Sequence, residues 1–223
     1  MFCHHCGTEI QSGGAFCPSC GKNVAGGPGG QWTPKAVIEV RTGHWIGRGW
    51  ELVKADMFVF AVMTILYAVI VSAGAFVVQG AMAAGFQIVF MRKLQGRPVT
   101  MSNLFDGFSF FLPTLLAHLV IAVFTFAGLV ACIVPALVIT AMYQFTNLFI
   151  FDKNMDFWTA MKASHALVER DYFGFTVFLI AIVLVNLLGL LCCVVGLLWT
   201  VPLTYAAVTV AYQETVGFEA IPD

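Results

Sequence analysis

Charge is what this sequence has least of. Its 223 residues include 11 Lys+Arg and 12 Asp+Glu, 10% in all, against 60% apolar residues, for a formal net charge of −1. A soluble domain carries about a quarter charged residues and is about half apolar at most. The scarcity argues against a disordered chain, an electrostatic nucleic-acid binder and an ordinary cytosolic enzyme. Charge is also missing locally: residues 58–91, 107–151 and 172–213 contain no Asp, Glu, Lys or Arg. A helix needs roughly 20 apolar residues to cross a bilayer core of about 30 Å. The second and third stretches therefore have room for two spans each, and the first is slightly short for two.

Catalytic signatures are missing as well. There is no Ser-His-Asp set, His-rich metal cluster, phosphate-binding loop or dinucleotide fingerprint. The segment before Gly7 has neither the basic region nor the apolar core of a secretory signal. These absences point away from an enzyme and towards an integral membrane protein.

Small and helix-breaking residues interrupt each charge-free stretch near its middle. They are Ser72, Gly74, Gly80 and Gly85, then Gly128 and Pro135, then Gly189, Gly196 and Pro202. Such residues in an apolar run mark turns or kinks. The expected fold is an all-α membrane bundle of six helices in three tight hairpins, the first of them shallow or re-entrant. All basic residues lie outside the stretches, from Lys22 to Arg92, Lys93, Arg97, Lys153, Lys162 and Arg170. Hairpins place them on one membrane face. The positive-inside rule makes that face cytoplasmic, which places the bundle in the cytoplasmic membrane with both termini in the cytoplasm.

An amphipathic segment precedes each hairpin. Trp45, Ile46, Trp50 and Val53 oppose Arg48, Glu51 and Lys54; Met101, Leu104, Phe105 and Phe108 follow Arg97-Pro98; Phe157, Trp158, Met161 and Val168 oppose Thr159, Lys162 and Glu169. Such helices either lie in the headgroup plane or cap the bundle, and both uses are compatible. Residues 51–65 and 166–180 also align at a spacing of 115, with seven of fifteen positions identical, which suggests duplicated hairpins.

The amino terminus reads Cys3-His4-His5-Cys6-Gly7 and then Cys17-Pro18-Ser19-Cys20-Gly21. Two Cys-x-x-Cys pairs supply four thiolates to one tetrahedral ion, each pair wrapping one edge of the metal. The ligands are Cys3, Cys6, Cys17 and Cys20 and the expected ion is structural Zn²⁺, with rubredoxin-type iron the minor alternative. His4 and His5 are surplus to a four-thiolate site. Disulfides do not suit a reducing compartment. The pattern resembles the short zinc ribbon found at the amino terminus of prokaryotic proteins. A segment this small does not bury enough core to fold without its metal.

Inside the apolar stretches the polar inventory is Gln79, Gln87, His118, Gln144, Asn147 and Asn186. His118 is the one group there that titrates near neutrality, and with Asn186 it forms the candidate intramembrane polar site. A neutral His bonded to a neighbouring helix is the more common role. Asn186, Gln144 and Asn147 read most simply as interhelical hydrogen-bond partners. Cys132, Cys192 and Cys193 fall at outer turns or helix ends and read as small apolar residues.

From about Thr42 to Gly217 the chain resembles an uncharacterised prokaryotic family of multi-pass membrane proteins, similar in layout to the membrane domain fused to some glycerophosphodiester phosphodiesterases. The resemblance rests on Gly85-Phe86 with Phe90-Met91-Arg92, Leu104-Phe105-Asp106-Gly107-Phe108, Ile133-Val134-Pro135, the segment from Phe157 to Ser164, and Gly196 with Pro202. It implies a six-helix bundle and no reaction. The expected organisation is a zinc ribbon at 1–24, a Gly-rich flexible linker at 25–40, a membrane domain at 41–217 and a tail at 218–223. The expected function is a non-enzymatic membrane protein whose cytosolic ribbon binds a protein partner or assembles a complex. A transporter, channel or lipid-handling protein is the alternative, and a membrane-embedded enzyme ranks last. Expected partners are membrane lipids and a cytosolic or membrane protein, with a homo-oligomer open and no nucleic acid, since only Lys22 and two histidines give the ribbon positive character.

Overall fold

A computed structural model describes Trp32, Pro34, residues 38–192 and residues 195–218. The expected zinc ligands Cys3, Cys6, Cys17 and Cys20, residues 25–31 of the expected linker and all of the tail beyond Phe218 lie outside the described residues. So does Cys193.

Among the described residues the chain is helical and has no strand. The order is α1 (Thr42–Ala55), α2 (Met57–Leu94), a 3-10 segment (Met101–Phe110), α3 (Phe111–Ala131), α4 (Ile133–Tyr143), α5 (Thr146–Asp152), α6 (Phe157–Val168), a short 3-10 turn (Glu169–Asp171), α7 (Tyr172–Leu191) and α8 (Leu197–Thr215). In a straight helix Phe60 and Phe90 would stand about 45 Å apart. Their rings instead stack at 4.8 Å, and the Tyr67 and Phe86 rings meet at 5.5 Å. Lys93 Nζ, near the end of α2, donates to the Leu52 carbonyl at 2.8 Å and pairs with Asp56, just before its start. The backbone of α2 therefore doubles back between Tyr67 and Phe86, within the expected first hairpin.

The other two apolar stretches reverse at short connections. Cys132 takes an extended backbone (φ −177°, ψ 161°) between α3 and α4, and the Phe124 and Tyr143 rings face each other across that pair at 6.2 Å. Between α7 and α8, a Cβ on Gly196 would lie 2.5 Å from the Gly189 carbonyl oxygen, so this crossing requires glycine. The 3-10 segment needs the same close approach: a Cβ on Gly85 would lie 1.9 Å from the Leu104 carbonyl oxygen.

Among the described residues three segments are long and apolar enough to cross a membrane: Met101–Val130, Ile133–Asp152 and Phe157–Leu191. The pair Thr42–Ala55 and Met57–Ser72, bent by 97°, makes a fourth if it counts as one broken span. α8 is less apolar than the sequence pattern suggested. Thr200, Thr204, Tyr205, Thr209, Tyr212 and Gln213 interrupt it, several bonded inside the bundle.

The amphipathic segments divide between the two uses expected of them. In α1, Trp45 and Val53 are fully buried while Trp50 stays outside. In the 3-10 segment Leu104 is buried, and Met101, Phe105 and Phe108 are exposed. In α6, Met161 and Val168 are buried, whereas Trp158 is exposed under the Lys162 ammonium, 5.7 Å from its ring centre. α6 starts on Asp156, whose carboxylate accepts from the Trp158 and Thr159 backbone N–H groups at 3.1 Å. Hydrogen bonding by Thr159, side chain foremost, holds the Asp156 carboxyl below its usual range.

Three described residues of the expected linker lie against the bundle. Trp32, Ile38 and Val40 pack on the main core, with the Trp32 ring 4.9 Å from that of Phe149. The expectation of a flexible linker over 25–40 rests on glycine content. That content is confined to residues 26–30, and Trp32, Ile38 and Val40 have apolar surface to bury.

Candidate functional site

The charged side chains near the helix ends meet one another. Arg92, at the end of α2, pairs with Asp106 at 3.0 Å. Glu214, at the end of α8, accepts from Trp45 Nε1 at 2.8 Å and lies 2.9 Å from His44 Nε2, both in α1. Asp152, at the end of α5, has a fully buried side chain that accepts from the Tyr212 hydroxyl at 2.9 Å and faces Lys153 at 3.3 Å. A carboxylate buried this deeply needs such partners to remain charged. The sequence reading passed over Asp152 and Glu214. Their position at the edge of a charge-free stretch was the available signal, but only packing reveals which edge charges are drawn inward.

The interior polar residues sort into three kinds. His118 is held by its own helix: its Nδ1 lies 3.0 Å from the Thr114 carbonyl oxygen, and the ring rests where a Cβ on Gly80 would fall, 3.0 Å away. Asn186 joins two helices, donating to the Ile182 carbonyl at 3.0 Å and to the Thr204 hydroxyl at 2.7 Å. That hydroxyl donates in turn to the Thr200 carbonyl at 3.0 Å. His118 and Asn186 share no hydrogen-bond partner in these contacts: the first bonds within its own helix and the second within a helix pair.

The third kind is different. Gln144 was expected to bond between helices, yet neither of its side-chain polar atoms finds a partner among the described residues. The same holds for Gln87 Oε1, Thr146 Oγ1 and Asn147 Oδ1, all on buried residues. Gln144, Thr146 and Asn147 sit where α4 breaks into α5. The backbone at that break is satisfied from α6, where the Ser164 hydroxyl donates to the Met142 carbonyl at 2.6 Å and accepts from the Phe145 N–H at 3.3 Å.

Among the described residues no group of three His, Cys, Asp or Glu side chains is placed to hold a metal ion. Cys132 and Cys192 are free and exposed.

A family model described as a zinc-ribbon domain matches residues 2–24. The match spans all four amino-terminal cysteines of the two Cys-x-x-Cys pairs. Four soft thiolates at that spacing suit a tetrahedral Zn²⁺ site, and a zinc bound there is structural. No curated protein and no solved structure matches the chain. The resemblance of residues 42–217 to a membrane family, and to the phosphodiesterase-linked membrane domain, gains no support. Its motifs are packing and turn residues: Gly85 and Leu104 meet because two helices cross closely, a requirement that many unrelated bundles share.

Proposed function

We propose that this chain is a non-enzymatic integral protein of the cytoplasmic membrane whose zinc ribbon recruits or helps assemble a protein partner. Its apolar stretches cross the bilayer six times as three hairpins, with both termini cytoplasmic. Cys3, Cys6, Cys17 and Cys20 hold the zinc. The observation that carries this reading is the pairing of a zinc-ribbon match at residues 2–24 with an apolar helical bundle. The candidate titratable group in the interior, His118, is bonded within its own helix, and the activity is assigned to the ribbon.

Copurification tests it directly. Full-length protein and the double variant Cys17→Ser/Cys20→Ser, both extracted in mild detergent, should give equally monodisperse bundles. Only the first should retain a protein partner, and chelation of zinc should release it. Identical partner sets would reject recruitment.

A second reading, a transporter, channel or lipid-handling protein, is favoured by Gln87, Gln144, Thr146 and Asn147, whose buried polar atoms want partners that a small hydrogen-bonding ligand could supply. Bound lipid or solute in native mass spectra, lost on Gln144→Leu, would support it.

Orientation has a native probe. Cys132 and Cys192 are exposed at the tips of the second and third hairpins. They should react with an impermeant thiol reagent applied to intact cells, while a cysteine introduced at Arg97 should not. Labelling at position 97 from outside would overturn the topology.

A further inference from the structure

We propose that the break between α4 and α5 is a binding site for a small monovalent cation, held by the uncharged side-chain oxygens of Gln87, Gln144, Thr146 and Asn147. This site deepens the second reading above by naming its ligand, and it stands with or without transport.

The segment Ile133–Asp152 is apolar enough to cross a membrane, yet its helix is interrupted between Tyr143 and Thr146. At helical rise the interruption falls about 17 Å from Ile133 and about 11 Å from Asp152. That is well inside an apolar layer of about 30 Å. Polar side chains at such a depth have no bulk water to bond, so an unmade hydrogen bond is costly. Nine buried side-chain polar atoms lack a partner among the described residues; four of them lie within residues 144–147, and a fifth is Gln87 Oε1. Gln87, Thr146 and Asn147 are only 4%, 1% and 8% exposed. The backbone at the break does not need these side chains, because Ser164 already bonds the Met142 carbonyl and the Phe145 N–H.

Helical geometry brings the amides to a common side. Gln144 (φ −62°, ψ −23°) and Phe145 (φ −97°, ψ −1°) stay close to helical angles through the break. Gln144 and Asn147, three residues apart, therefore stand on one side of it. Phe151, one turn beyond Asn147, meets the Phe110 ring at 6.2 Å, so that side is turned towards the junction of the 3-10 segment with α3. α2 presses on the same 3-10 segment, where a Cβ on Gly107 would lie 2.0 Å from the Ala81 carbonyl oxygen. Gln87 shares an α2 face with Ala84, Ile88 and Met91. Those three residues are buried in the core that also holds Phe145 and Leu148.

The chemistry of the unpartnered atoms selects the ligand. Four of the five are oxygens, on Gln87, Gln144, Thr146 and Asn147, and the fifth is the Gln144 Nε2 donor. An anion needs the reverse balance, with donors in excess. A divalent ion recruits carboxylates, and these four residues carry none. A single positive charge is what the dipoles of uncharged oxygens hold at interrupted membrane helices.

The test heats the zinc-loaded full-length chain in lipid nanodiscs in lithium, sodium, potassium, ammonium or choline chloride at one ionic strength. At least one small cation should raise the unfolding midpoint above that in choline. The rise should saturate, reaching about 3–6 °C at ten times the half-saturating concentration. Gln144→Met and Asn147→Leu should remove the shift, while Asn186→Leu, on the α7–α8 pair, should keep it. Asn147→Asp adds a carboxylate and should lower the half-saturating concentration about tenfold, which tests the location even where an apolar variant does not fold. Equal midpoints in all five salts overturn the proposal. So does a shift that survives both apolar variants, one that Asn186→Leu also removes, or an affinity unchanged in Asn147→Asp. Stabilisation by acetamide and by none of the cations gives the break to a neutral solute, overturning the cation site while leaving the second reading in place. Cation binding without cation uptake by proteoliposomes supports the site and rejects transport.

Discussion

The first helical unit, α1 with the first half of α2, and the third, α6 with α7, share a sequence pattern and bury it alike, but they start and dock their helices differently. At the spacing of 115, Val53 and Val168 are both fully buried, and Phe60 and Phe175 both lie in the core. Phe58 and Phe173 are both turned out, 78% and 81% exposed. Asp56 and Asp171 hold similar backbones between their helices (φ −136°, ψ 48° and φ −154°, ψ 73°). These matched positions occupy equivalent places, as a duplicated unit would, whereas Leu52 is half-buried where Leu167 is buried, and Val62 is half-buried where Val177 is exposed.

The differences lie in polar contacts. Asp56 pairs with Lys93, whereas Asp171 accepts from the Gly174 N–H at 2.9 Å. α6 begins on Asp156, a capping residue, while the equivalent position before α1 is Arg41, with no side-chain cap. Gly49 sits against the α8 backbone at Ala207, while its counterpart Ser164 bridges the α4–α5 break. Apolar stripes survived where each unit buries them; the hydrogen bonds follow whatever lies next door.

Breaking the shared core should have the largest effect. Phe60→Ala and Phe175→Ala are each expected to cost about 3–5 kcal/mol by thermal or denaturant unfolding in detergent. Phe58→Ala and Phe173→Ala should stay within about 0.5 kcal/mol. A large cost at only one of Phe60 and Phe175 would break the equivalence of the units.

The two aspartates should separate next. Asp171→Ala removes a backbone cap and should cost about 1 kcal/mol with little salt dependence. Asp56→Ala removes a charge pair whose carboxylate is half exposed, so about 1 kcal/mol or less is expected, shrinking as ionic strength rises. Equal salt dependence of the two would refute the distinction.

A third test concerns the helix starts. The Asp156 carboxyl is depressed in the folded protein, so its contribution is present above the unfolded value near 3.9 and is lost as pH falls through the lower folded value. Asp156→Ala should therefore cost about 1 kcal/mol at neutral pH, with the difference from wild type vanishing in strong acid. A cost independent of pH would show that the carboxylate is not the cap. Smallest of all, Arg41→Asp should give α1 the cap that α6 has, gaining a few tenths of a kcal/mol, set against the lost Arg41–Glu39 contact on the surface.

The chain's own order of residues determined a good deal. Charge-free stretches ending at Arg92, Asp152 and Glu214 announced apolar helices with polar ends, and the glycines near their middles lie close to where the chain reverses. The two Cys-x-x-Cys pairs identified the zinc-ribbon segment, because ligand spacing is a local property that needs no tertiary partner. The repeat at a spacing of 115 was legible for the same reason.

Tertiary structure alone decided which apolar side chains face protein. Trp45 and Trp50 are equally apolar by sequence, but only Trp45 finds α8 and the Glu214 carboxylate. Asn186 finds Thr204 across a hairpin, while Gln144, with similar chemistry, finds no partner among the described residues. Trp32 falls in a glycine-rich segment by sequence, but its ring lies against Phe149. The physical reason is common to all three. Lipid is as apolar as a protein interior, so the hydrophobic pattern that places a helix in the membrane does not say which face meets another helix. That choice falls to close backbone approach, hydrogen-bond partners and ring contacts, which depend on residues far apart in the chain.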